Sequence, residues 1–379
     1  MLMVCCVPFF FFSKNIYQTT VGVQAGENRP FSAINQGNRW MENLDLVWNS
    51  HPIRNIEPLF RVGSLILYEL LSLPSIIPLA ASNSKGGIEL LGSPTRGITR
   101  PTTSLIMEDM KTTEEFNAVD FITRIPEEGV GFSDFITSMY SALSSKPWIP
   151  GTRVYGVLDV PATIRGIGSC KLQEDPFDRN PSCIVQGEWS TVWTPPGAIT
   201  HPHIDFYGPA QYMVHFHGEK LWILWPPTPN NLEWYSQHHR QVSAETLTIQ
   251  AIRNLEGLHV QHFDGSSEEA FLVSPNYIHA VLSVSESAHC STRVWRIEDF
   301  DEAEGLIKWG FQWCANSSQR GVTKKETLVV LETISEDLSW WMSLVEGKKA
   351  PNFRSIKKRL GFLIAEEESL RCHISNVSM

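Results

Sequence analysis

A chain of 379 residues with 42% hydrophobic content is long enough for one large domain with a helical accessory. Its formal net charge of −10 excludes a general nucleic-acid binder, because neutralising phosphates needs clustered Lys and Arg. Seven cysteines without a C-x-x-C pair exclude a disulfide framework and point to a reducing, intracellular compartment; Cys170 and Cys183 lack the partner spacing of metal ligands.

Residues 1–12 are apolar, include Pro8, and fall short of the ~20 needed to span a bilayer. They lack the basic n-region of a secretory signal, and no membrane association is expected. Ile56 to Leu73 reads as a helix ended by Pro74, and residues 76–106, rich in Ser, Gly, Pro and Thr, read as a linker. Ser133 is expected to cap a helix with Phe132, Phe135, Ile136, Met139, Tyr140 and Leu143 at helical spacing. From Val154 to Ile297 short β-rich runs alternate with turns, as a double-stranded β-helix requires.

After Phe300 the pattern is helical. Thr323–Val345 carries Leu328, Leu331, Ile334, Leu338 and Trp341 on one face, and Pro351–Arg371 follows; these helices brace the β unit or form a dimer face. The chain thus divides into an N-terminal helix and linker region (1–107), a β unit (108–315) and a C-terminal helical segment (316–379). Lys348, Lys349, Arg354, Lys357, Lys358 and Arg359 crowd the start of the last helix as a nuclear signal, a DNA-facing patch or a solvated face.

The chemistry concentrates in Thr200-His-Pro-His203-Ile-Asp205-Phe, Gly218-Glu-Lys220 and Tyr277-Ile-His279-Ala-Val. Two imidazoles and one carboxylate make the facial triad of an iron(II) site. A strand sends residues i and i+2 to one face, so His203 and Asp205 can point together, with His279 from a neighbouring strand. Chance alone gives roughly one His-x-acid pair in this composition, and three occur. His217-Gly-Glu219 has a strand-weakening Gly, and His262-Phe-Asp264 runs into the turn Gly265-Ser-Ser; only His203-Ile-Asp205 is flanked by the rest of a site. A dicarboxylic keto acid on that metal needs a buried cation for its far carboxylate, and Lys220 supplies one. Thr200 adds a hydroxyl donor if a bend or bulge near Pro202 turns it inward.

The segments His203-Ile-Asp-Phe-x-Gly208, Gly218-Glu-Lys220, Pro226-Pro-Thr228-x-x-Asn231-Leu-Glu-x-Tyr235 and Ile278-His-Ala-Val281, with Arg153-Val-Tyr-Gly-Val-Leu-Asp-Val160 upstream, resemble the JmjC domain. They are most similar to the branch of histone lysine demethylases that carry F-box or PHD-finger modules. The resemblance spans roughly residues 120–300. It implies a mainly β fold with flanking helices, a jelly-roll, cupin-like barrel, with Fe(II) held by His203, Asp205 and His279. It implies 2-oxoglutarate held by Thr200 and Lys220, and a chromatin-linked, nuclear oxygenase acting on a protein or peptide such as a histone tail. Oxidation of an N-methyl group gives an unstable hemiaminal and hence demethylation; oxidation of carbon gives stable hydroxylation, the alternative outcome. A non-catalytic interaction module is the third reading, against which the intact ligand set counts.

Two departures from that branch concern the substrate channel. A Gly-Gly-Asn-Phe stretch is replaced by Cys290-Ser-Thr-Arg-Val-Trp295, and an aromatic hydroxyl by Met213. Trp222, Trp225 and Trp234 suggest a methylammonium cage, although barrel packing is the commoner use of such residues. His215 and His217 suggest a second metal but lack a third ligand, and His238-His239 read as surface histidines.

Overall fold

The computed structural model describes residues 48, 56–73, 87–92, 103–112, 115–143, 149–161, 177, 180–186, 189–205, 208–238, 244–264 and 269–376. Helix α1 (Glu57–Leu71) precedes β1 (Ile88–Gly92), α2 (Thr103–Thr112), β2 (Glu115–Asp120), β3 (Ile125–Gly131) and α3 (Phe132–Leu143). The strand-rich middle holds β4 (Tyr155–Pro161), β5 (Cys183–Val185), β6 (Ser190–Thr194), β7 (Ala210–His217) and β8 (Glu219–Trp225). Helices α4 (Pro229–His238) and α5 (Ala244–Asn254) separate these from β9 (His259–Asp264), β10 (Glu269–Val273), β11 (Ile278–Ser283) and β12 (Ser287–Arg296). Three helices close the chain: α6 (Phe300–Ala315), α7 (Lys324–Val345) and α8 (Pro351–Asn376).

Among the described residues the strands form two antiparallel sheets, one in the order β1-β10-β7-β12-β6-β4-β2-β3 with β5 also paired to β12, the other β11-β8-β9. The sheets meet through the alternate residues of their facing strands. Met213, Phe271 and Val273 of the larger sheet pack on Trp222, Leu224, Phe263 and Val281 of the smaller. Trp222 meets Phe271 edge-on at 5.6 Å and Phe263 stacks on the same ring at 4.0 Å. The opposite face of the smaller sheet, with Leu221, Ile223, Trp225, Ala280 and Leu282, shares one continuous core with α1, α6, α7 and α8. The C-terminal helices share that core and meet the larger sheet directly, where Trp340 of α7 stacks on Trp295 of β12 at 4.9 Å. Buried Arg293 of β12 adds ion pairs to Glu336 and Asp337 of α7.

Local signals explain the boundaries. Thr323 caps α7 in a reciprocal pair with Glu326, at the expected helix start. Ser133 is not a cap, because α3 begins one residue earlier at Phe132. The stretch 76–106 is not all linker: a short apolar run inside it forms β1 and delivers Ile88 to the inter-sheet cluster. The β-rich middle is also interrupted by two helices. Pro229 opens α4, and the Thr228 hydroxyl accepts the N–H of Asn231, so residues that resemble turn formers start a helix. No helix among the described residues is long and apolar enough to cross a membrane.

Gly218 joins β7 in the larger sheet to β8 in the smaller. Its φ is +71°, and a Cβ there would lie 1.8 Å from the carbonyl oxygen of Glu286. Left-handed strain and overpacking each cost about 1–3 kcal/mol. Gly218→Ala should therefore lower unfolding stability by about 3 kcal/mol in urea titrations, whereas Gly305→Ala, in a helix with open space around it, should not lower it.

Candidate metal centre

His203 and His279 are brought together by the backbone before any side chain acts. Each donates its N–H to the other's carbonyl at 2.9 Å, which makes them directly opposed partners on adjacent extended segments. His203 belongs to an isolated bridge and not to a named strand, and Asp205 lies just beyond it. The pairing register slips by one residue upstream: from Ile199↔Leu282 to His203↔His279 is four residues on one side (203 − 199) and three on the other (282 − 279). That extra residue is the anticipated bulge, and it falls at the bend of buried Pro202. Thr200 consequently opposes Val281, with its N–H bonded to the Val281 carbonyl at 3.0 Å and its hydroxyl accepting the Val281 N–H at 2.8 Å. Val281 and His279 are two apart on β11, so Thr200 and His203 share a face.

The side chains then converge. His203 Nε2 lies 2.9 Å from Asp205 Oδ1, and His279 Nε2 lies 3.1 Å from Asp205 Oδ2. Among the described residues these three form the group of His, Cys, Asp or Glu able to hold a metal, with ligand atoms within 4.8 Å of one another. Each imidazole is oriented by its other nitrogen: His203 Nδ1–H donates to the carbonyl of His201, and His279 Nδ1–H to that of Tyr277 at 3.1 Å. Both Nε2 lone pairs then face the carboxylate oxygens. Three lone-pair donors at this spacing repel unless a cation or proton sits among them, and the donor set suits a divalent first-row ion. The electrostatics agree. Burial opposes charge on His203, yet Asp205 raises its pKa; burial would raise the Asp205 carboxyl, yet the two imidazoles hold it far below the usual carboxylate range.

Sequence reasoning missed Gln211, whose amide donates to Asp205 Oδ2. Alternate residues of β7, namely Gln211, Met213 and His215, run from this centre along the inter-sheet space, and Lys220, Trp222 and Leu224 of β8 face them. Trp222 stacks on His279 at 5.4 Å. At the far end Lys220 is 1% exposed, and burial lowers its pKa to about 7. No carboxylate pairs with it among the described residues. A buried cation without a counter-charge fits the far carboxylate of a dicarboxylic keto acid.

The remaining candidates separate from the centre. His262 pairs with Glu219 at 3.2 Å, so members of the two rejected His-x-acid pairs bind each other. Trp222 and Trp225, three residues apart, face opposite sides of the smaller sheet, and Trp234 stacks on His238 at 4.5 Å; no cage forms. His215 donates from Nε2 to the Gly218 carbonyl at 2.8 Å, and among the described residues neither it nor His217 belongs to a group of three potential ligands. Cys183 sits in β5, and Cys170 and His239 lie outside the described residues.

No family model matches the chain. Over 161 residues it is 25% identical to the JmjC domain-containing histone demethylation protein 1 of Candida glabrata, a match covering 42% of this chain. The match spans 37% of that protein's length.

Losing one of three ligands leaves a two-point site too weak for a stable complex. Anaerobically loaded His203→Ala and Asp205→Ala should lose stoichiometric Fe(II) while remaining folded, and His217→Ala should retain it. Equal iron loss in all three would place the metal elsewhere.

Proposed function

We propose that the chain is an Fe(II)- and 2-oxoglutarate-dependent oxygenase of the JmjC class, built on a double-stranded β-helix within residues 108–315 and acting on a protein substrate. One observation carries this reading: an oriented His203-Asp205-His279 centre is linked to a buried Lys220 that no carboxylate pairs among the described residues, through Trp222, which stacks on His279 and packs against His289, the hydrogen-bond partner of Lys220. When bound, iron and the keto acid supply oxidation of a substrate C–H bond by O₂. The protein's own part is holding and excluding. His203, Asp205 and His279 hold the metal, and Gln211 orients the carboxylate. Lys220 neutralises the distal carboxylate, and the Thr200 hydroxyl, already accepting from Val281, keeps its proton to donate to the cosubstrate. Trp222, 2% exposed, excludes water between the two ends.

The substrate in this reading is protein methyl-lysine, as in a histone tail, which the name of the Candida glabrata relative supports. A nuclear location accompanies it. Lys349, Arg354, Lys357 and Lys358 remain exposed, while Lys348 bonds to the Pro181 carbonyl and Arg359 to Glu304 and Asp301. Protein hydroxylation is the second reading, favoured by the mouth of the site. The cleft beside Asp205 and His279 is bordered by Gln211, Asn276 and Tyr277, polar and aromatic groups rather than an open channel for a long cationic side chain. Incubation with iron, 2-oxoglutarate and methylated histone peptides, read by mass, separates the two: loss of a methyl group supports demethylation, gain of one oxygen supports hydroxylation, and 2-oxoglutarate binding with neither supports an interaction module.

Removing a buried cation that pairs with a carboxylate costs about 2–5 kcal/mol. Lys220→Ala should weaken 2-oxoglutarate binding well over tenfold in calorimetry, and Thr200→Val by less; unchanged affinity in the lysine variant would place Lys220 outside the pocket.

The depressed Lys220 pKa also has a stability consequence of fixed sign. Between about 7 and its ordinary value near 10.5, the unfolded chain binds a proton that the ligand-free folded chain does not. This group should therefore add stability as pH rises from 7 to 9, and Lys220→Met should remove that part of the gain in urea titrations at each pH.

A further inference from the structure

Lys220 is not the sole donor at the inner end of the site. Its Nζ lies 2.8 Å from Nδ1 of His289, on β12. An ammonium has only hydrogens to give, so Nδ1 accepts and the ring proton resides on Nε2. His289 is 5% exposed, and the hydrogen bond of its ring is the one at Nδ1. The sheet register sets this arrangement: His289 opposes His215, and Ser283 opposes Lys220. Beside them the hydroxyls of Thr194, Ser283 and Ser287 bond one another at 2.7 and 3.1 Å. No carboxylate among the described residues hydrogen-bonds to any of these groups. Met213, one step along β7 from His215, contributes no hydroxyl to the same space.

We propose that His289 is a second donor to the distal carboxylate of 2-oxoglutarate, its Nε2–H reaching the carboxylate that Lys220 neutralises while its Nδ1 fixes the ammonium in place. This rests on the oxygenase reading above and names a residue that reading did not contain. The imidazole acts in its neutral form, the state able to accept from Lys220 and donate from the opposite nitrogen at once. Burial and the adjacent ammonium keep His289 well below its usual pKa. The pair thereby selects length and charge. A keto acid ending in a methyl group would leave an ammonium and an N–H facing apolar carbon, whereas a second carboxylate satisfies both. His289 also packs against Trp222 at 5.8 Å, so a role in packing alone is the alternative to exclude.

The test uses the full chain loaded with Zn(II), which neither oxidises nor turns over, titrated calorimetrically with 2-oxoglutarate and with 2-oxopentanoate, its methyl-ended counterpart. The wild type should bind the dicarboxylate at least tenfold more tightly. His289→Phe should weaken 2-oxoglutarate roughly ten- to hundredfold, as loss of a hydrogen bond to a charged group does, and leave 2-oxopentanoate unchanged. Equal weakening of both acids, or of neither, overturns the proposal. A wild type that does not distinguish the two acids overturns the underlying assignment of Lys220, a result visible before any variant is made. If His289→Phe does not fold, the wild-type chain still decides: the imidazole Nε2–H resonance, assigned by its absence in His289→Gln, should move downfield with 2-oxoglutarate and stay in place with 2-oxopentanoate. Failure to move with 2-oxoglutarate overturns the proposal equally.

Discussion

A lysine ammonium held between two sheets must find a counter-charge or surrender its proton, and this constraint organises the interior. The space around Lys220 contains imidazoles, hydroxyls and an indole, none of them anionic. Evolution of an ordinary core would place an apolar side chain there at no cost. Retaining the cation is intelligible where a dicarboxylate is to be bound, because desolvation of Lys220 is already complete and the incoming charge meets little screening.

The metal end depends on backbone register. The reciprocal pairing of His203 with His279 fixes the two imidazoles within one inter-strand spacing, and carbonyls two residues upstream set each ring's tautomer. The one-residue slip near Pro202 turns Thr200 to the same face. Hydrogen bonds among main-chain atoms, insensitive to side-chain drift, thus carry the geometry, while Trp222 couples both ends by stacking on His279 and meeting His289 at a tilt.

Much of this was legible in the residues. His203, Asp205 and His279 follow from ligand chemistry and spacing, and the structure brings them together; the helix at Thr323 follows from a capping pair with local meaning. Gln211 and His289 were not legible, since each matters through a partner six or 69 residues away, set by sheet pairing that no local pattern reveals. Strand β1 was hidden because five residues between Ser- and Pro-rich flanks carry too little periodicity. Helix α4 was hidden because its Pro-rich start has the composition of a turn. Packing, the commoner use expected for Trp222 and Trp225, is what their odd separation produces, each ring entering a different core.

The metal group and Lys220 should together hold one ligand, its two ends bound by different strands. Anomalous diffraction from crystals of the full chain grown with Mn(II) and N-oxalylglycine, an unreactive 2-oxoglutarate mimic, tests it directly. One metal peak should appear, bonded to His203 Nε2, Asp205 and His279 Nε2, with the mimic's far carboxylate against Lys220. A metal bound elsewhere, or a mimic whose far carboxylate lies away from a still unpaired Lys220, would contradict it.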